Sequence, residues 1–361
     1  MRRLLPILVA LAAACAATGP EPALRLGVPG LSADVESELR VAQGALQSAS
    51  SSARAWCDLG EAWLAAARGS YELEAVRRAR ASFVRARVLA RGEDAARARR
   101  GEIEVDVFRE RISDALALAE RARADFPSDA GLVAARIVAL LASERPADAR
   151  AALEELERNG PPNAELRARV ELANGAVEAA GRLLDGAPGT ANAARAQSEL
   201  AAALVRDGKA RAALERLERD AGRTEHGPEA RRVLELARAA TELAIAEAEK
   251  DERFARAALE RCTRLRAEAA SPIANALAAR AARALGAEDE ARWFAHAAEV
   301  VLRRAAEAGE LYALGPLARL LVDTGGDLDE ASEFARRWAQ GTPRVEARAL
   351  VEHIELLRAR R

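Results

Sequence analysis

A spacing of 34 residues constrains this chain more than any other feature in it. An alanine, apolar residues four and seven places on, and a proline at plus twelve fall at Ala115, Ala119, Ala122 and Pro127. They fall again, 34 residues later, at Ala149, Leu153, Leu156 and Pro161. The same frame returns at Ala176, Ala180, Leu183 and Pro188, and near the end at Ala331, Ala335, Trp338 and Pro343. Eight alanines fit it: Ala79, Ala115, Ala149, Ala176, Ala210, Ala255, Ala291 and Ala331. Four of them carry the proline although only 13 of 361 residues are Pro, so chance does not account for the pattern. Positions four and seven apart lie on one helical face, and proline cannot continue a helix. A unit of this length cannot bury its apolar face alone, so it must stack on its neighbours as a helical hairpin.

Composition agrees. Ala, Leu, Arg and Glu dominate, aromatics make up 3 %, and no segment alternates with the period of two expected of a strand. The expectation is an all-α α-solenoid of about eight hairpins with a C-terminal capping helix, its core spread along the chain and not gathered in one centre. Charge is balanced, with 55 basic and 56 acidic residues, and Lys occurs only at Lys209 and Lys250. A chain without a basic stripe has no electrostatic footprint for nucleic acid. Pairs such as Glu154 with Arg158 and Glu215 with Arg219 are those of a solvated helix face.

At the start, Arg2 and Arg3 precede an apolar run over 4–14, followed by Cys15 and a Gly-Pro-Glu-Pro stretch. Eleven apolar residues are too short for a permanent span, and the layout is that of a signal peptide. With Ala13 and Ala14 before Cys15 it resembles a bacterial lipoprotein signal, which implies lipid attachment at Cys15 and, with Ala16 following, the outer membrane facing the periplasm. Ordinary secretory cleavage nearby is the alternative. Cys57 and Cys262 belong to distant hairpins, so they are expected as small buried thiols without a disulfide.

The most specific stretch combines Trp56, Leu59, Gly60 and Trp63 with Ala79, Phe83 and Ala86. It resembles the tetratricopeptide repeat, in which an aromatic, Leu, Gly, aromatic set lies on helix A and an Ala, aromatic, Ala set on helix B. The interval from Trp63 to Ala79 is longer than the family's, which places an inserted loop or an extra helical turn over 69–76. The predicted organisation is a signal peptide at 1–14, a tether at 15–31, and an N-terminal helix with a Ser-rich break at 32–52. The superhelix follows at 53–342, stronger over 53–225 and degenerate over 226–342, with the capping helix at 343–361. Ser32 is expected to cap a helix with the face Val35, Leu39, Ala42 and Leu46, and the last helix to present Val345, Leu350, Ile354 and Leu357.

No catalytic constellation is visible. His226, His296 and His353 are dispersed, no metal-ligand spacing occurs, and neither a phosphate-cradling loop nor a nucleophile elbow is present. The reading predicts no enzyme, no cofactor and no metal. The resemblance implies a concave groove lined by A helices, with Arg54, Cys57 and Glu61 in the first unit and Arg195 and Glu199 in the fifth. The expected function is a scaffold of the bacterial envelope that binds another protein's peptide or helix in that groove, touching membrane through its lipid only. A spacer or assembly subunit of a secretion, pilus or outer-membrane machine, working through its outer surface, is the alternative.

Overall fold

The structure is a computed structural model that describes residues 31–187, 189–222 and 226–360. The predicted signal peptide, Cys15, the tether up to residue 30, and Pro188 lie outside the described residues.

Among the described residues the chain forms eighteen helices and no strand. Helix α1 (Ala33–Ser48) leads into eight antiparallel hairpins. The first three pair α2 (Ala53–Ser70) with α3 (Leu73–Leu89), α4 (Gly92–Phe108) with α5 (Ile112–Asp125), and α6 (Ala130–Ala142) with α7 (Pro146–Arg158). The middle three pair α8 (Ala164–Ala173) with α9 (Val177–Leu184), α10 (Ala191–Arg206) with α11 (Ala210–Ala221), and α12 (Pro228–Glu249) with α13 (Glu252–Glu268). The last two pair α14 (Pro272–Ala284) with α15 (Glu288–Glu307) and α16 (Leu311–Asp323) with α17 (Leu328–Gly341), before the terminal α18 (Val345–Ala359). Eight hairpins and a terminal helix are what the repeat frame predicts, and the array fits a tetratricopeptide-like pattern.

All eight frame alanines belong to second helices. Ala79, Ala115, Ala149, Ala255, Ala291 and Ala331 are fully or almost fully buried. Ala176 and Ala210 stand at the starts of α9 and α11 and are only half-buried, so Ala180 and Ala213 take the inner place there. Helix α1 and five of the eight first helices begin on side-chain caps: Ser32, Ser52, Asp129, Asn163, Thr190 and Ser271 each accept from a backbone N–H three residues on. The extra length in the first unit is helical and not a loop, since α2 runs to Ser70 and α3 starts at Leu73.

Small residues set the helix spacing. A Cβ on Gly60 would stand 2.8 Å from the Phe83 ring, and one on Gly101 of α4 would stand closer still. Phe83 is thus clamped between two glycines of adjacent units. Gly315 of α16 stands to Trp338 of α17 in the same way, at 2.9 Å. On the last helix Ala347, Leu350 and Ile354 form the buried face, while Val345, the first helical residue, is exposed. Cys57 and Cys262 are free and buried.

The core departs from the expected open array. Separate apolar clusters do follow one another along the middle hairpins. One further cluster, however, joins α1 and the first hairpin to α15–α18. Eight hairpins bring the superhelix round so that its last unit meets its first. The junction is aromatic and ionic: the Tyr71, Phe108 and Tyr312 rings pack at centroid distances of 5.0 to 5.8 Å, and the Tyr312 hydroxyl donates to the Tyr71 carbonyl.

Candidate functional site

Closure turns the predicted groove into a central cavity of about 1350 Å³, walled by all eight first helices and by the residues of the junction. Small-molecule pockets are roughly 300–1,000 Å³, so the space exceeds what a single small ligand fills. Helix periodicity explains its lining. Each first helix buries one face on its own partner and the next unit, leaving one inner stripe free, and that stripe carries the residues facing the cavity.

The stripes are mixed. Val107, Val138, Leu166, Val233, Leu277 and Leu320 give the cavity apolar stretches, and charges of both signs interrupt them. Most of those charges are held in pairs. Arg68 contacts Glu104 at 3.2 Å, Arg280 contacts Asp323 at 3.5 Å, Arg344 contacts Glu110 at 3.5 Å, and Arg195 is bound to Glu229. The Arg232 guanidinium reaches from the sixth unit across to Gly69 of the first, a second place where distant units meet. Burial, and then the neighbouring Arg68, hold Arg195 below the usual arginine range, and burial does the same to Arg232. Burial raises the Asp323 and Glu110 carboxyls. A cavity of this kind offers ion pairs that can exchange partners beside apolar patches, which suits a polypeptide carrying both kinds of side chain.

The predicted groove residues separate. Glu61 and Arg195 line the cavity. Glu61 is held by Arg97 through two hydrogen bonds, of 2.9 and 2.6 Å. Glu199 is exposed and pairs at 2.7 Å with Arg169, which does line the cavity. Arg54 is exposed near the start of α2, away from the cavity lining. Cys57 faces the opposite way, fully buried against Ala86 and Ala98 with its sulfur 4.0 Å from the Asp94 carbonyl. Its thiol is pushed up to about 11 and that of Cys262 to about 12, in both cases by burial first. His226 caps a loop, its Nε2 2.7 Å from the Asp220 carbonyl.

Sequence reading missed Arg68, Arg169, Arg232 and Arg280 on the inner stripe, and it missed the junction residues altogether. The first set carried a faint signal, an arginine recurring inside successive first helices. The second carried none, because Tyr71 and Tyr312 meet only through the pitch of the whole array. Among the described residues no group of His, Cys, Asp and Glu is placed to hold a metal, and no helix is long and apolar enough to cross a membrane.

No family model matches the chain, and no curated protein matches it. Solved structures do. A human IFIT1 dimer with PPP-AAAA is 14 % identical over 90 % of this chain and 88 % of that one, with a TM-score of 0.46. A signal transduction ATPase from Pyrococcus horikoshii with a tetratricopeptide repeat sensor is 16 % identical over 79 % of this chain and 49 % of that one, at 0.40. The Cut9–Hcn1 hetero-tetramer of the APC/C is 13 % identical over 83 % and 62 %, at 0.31. At these scores the likeness assigns neither ligand nor partner to this chain.

Proposed function

We propose that this chain is a non-enzymatic interaction scaffold that holds a peptide or helix of another protein in its central cavity. The observation that carries the reading is the convergence of inner stripes from all eight hairpins on one space too large for a single small ligand, lined by both charged pairs and apolar side chains. A rigid, preformed wall binds a flexible segment at little ordering cost to itself. We further propose that the protein works in the bacterial envelope, exported by the segment at 1–14 and anchored through lipid on Cys15.

Photo-crosslinking in cells tests the first part. A crosslinking side chain at Val138 or Leu277, inside the cavity, should capture one and the same polypeptide, while one at Val88, exposed outside it, should capture none of it. Capture of a common partner from Val88 alone would instead favour a spacer that uses its outer surface. Because charges of both signs line the wall and would meet the partner's own, affinity for it should also fall as salt rises. For the second part, Cys15→Ala should move the protein from the membrane to the soluble fraction, and unchanged fractionation would remove the lipid anchor.

A further inference from the structure

In each hairpin the two helices are joined by a turn with one residue in the left-handed region, a conformation that favours glycine. The fourth, fifth, seventh and eighth hairpins use Gly175, Gly208, Gly286 and Gly325 there. The first three do not: they place Tyr71 (φ 58°), Glu110 (φ 59°) and Glu144 (φ 57°) in the same conformation. Each of these three residues touches the C-terminal unit. Tyr71 packs its ring on Tyr312 and accepts the Tyr312 hydroxyl on its carbonyl. Glu110 accepts the Trp338 indole N–H and faces Arg344. Glu144 accepts the backbone N–H of Val345, the first residue of α18. Strain in such a turn persists only where something else is gained, and here the gain lies across the junction in all three cases. Lys250, in the sixth hairpin, is the one other non-glycine residue in such a turn among the described residues, and it shares a surface pocket with Asp323 at the far end of α16 from Tyr312.

We propose that the last hairpin and α18 form a latch that seats on the turns of the first three hairpins and governs entry to the cavity. Tyr71, Phe108, Glu110, Tyr312, Trp338 and Arg344 both seal the junction and line the cavity, so parting them opens its wall. The character of the contacts allows parting. Helix packing runs between consecutive helices and between neighbouring first helices, and beside the apolar cluster shared by the two ends the junction is made by helix ends and turns bearing ion pairs and hydrogen bonds. Those polar groups recover water when they separate, as at interfaces between domains that move. The latch itself stays stiff, because Trp338 is packed over Gly315 within its own hairpin. This inference rests on the cavity being the binding site.

The test uses the full chain with Glu110→Gly and Glu144→Gly together, changes that suit each turn's backbone while deleting its contact with the latch. Amide hydrogens of 311–359 should exchange at least about tenfold faster than in wild type, with those of 164–221 unchanged. Lys250→Gly, which relieves a turn that is not one of those three, should leave both regions as they were. In a Val138→Cys background, a polymer-linked maleimide should label the cavity thiol about tenfold faster in the double variant. Unchanged exchange or unchanged labelling overturns the proposal, and so does faster exchange throughout the chain, which would make the junction a fixed joint of the fold. Trp338→Phe, which removes the N–H that Glu110 accepts together with part of the indole, repeats the measurement with a smaller ring over Gly315. Neither readout involves a bound partner, so a latch that opens around a cavity that binds nothing would be seen as such.

Discussion

Phe83 shows how little room single residues have in this fold. Its ring is closed in by Gly60 on its own hairpin and Gly101 on the next, so a methyl group at either place must displace it. Gly101→Ala should cost about 1–3 kcal/mol, seen as a lower denaturant midpoint at unchanged slope. Glu110 shows a different constraint. Burial raises its carboxyl above the ordinary 4.5, and neither the Arg344 guanidinium nor the Trp338 N–H restores it, while Glu346 adds to the rise. A group whose folded value lies above its unfolded one contributes stability that is complete below the unfolded value and is lost as pH rises through the folded one. Glu110→Gln, which keeps an oxygen for Trp338, should therefore match wild type below roughly pH 4 and exceed it in stability as pH rises toward 8. Unfolding midpoints at the two ends of that range decide the matter. The two thiols raised by burial should resist alkylation at neutral pH until denaturant is added; labelling of Cys57 or Cys262 in the native protein would contradict the packing described for them.

At the scale of the helix, a short element can lean on its cap. Helix α8 has ten residues and starts at Asn163, whose side chain accepts from Leu166 N at 2.9 Å. Asn163→Ala should cost about 1 kcal/mol, and calorimetry would show it as a lower melting temperature. Second helices were legible in the sequence because they bury one uninterrupted face, so that Ala115, Ala119 and Ala122 fall in step and the alanine frame repeats. Ser32 was legible as a cap for the same local reason, whereas Ser52, read only as part of a Ser-rich break, caps α2. First helices were harder to read. Their inner stripe faces a polar cavity, so Arg169, Arg195 and Arg232 occur where an ordinary amphipathic helix would carry apolar side chains. Cys57 was misplaced by analogy, since carrying over a groove position assumes the family's helix rotation, and in α2 that residue turns toward Ala86 and Ala98.

At the scale of the molecule, the repeat frame revealed how many hairpins there are but not that the last meets the first. Closure depends on small rotations summed over eight units, a quantity that no local spacing records. The pair Arg109 and Glu310, joined by two hydrogen bonds of 2.8 and 2.7 Å, is a buried ion pair of that meeting. Arg109→Met alone strands a buried carboxylate and should cost about 3–5 kcal/mol, whereas Arg109→Met with Glu310→Met should restore much of the loss. A double-mutant cycle measures the difference, and additive effects would mean that the two side chains do not depend on each other. An open stack can gain or lose a unit in evolution and merely become longer or shorter. Here the two ends must arrive at matching heights and angles, so the tally of units is locked. Excising one interior hairpin, for example 164–190, would leave Tyr312 with no Tyr71 to meet and expose both rims at once. Duplication or deletion of single repeats is thereby closed to this chain as a route of change, and variation is confined to the lengths of its helices and loops.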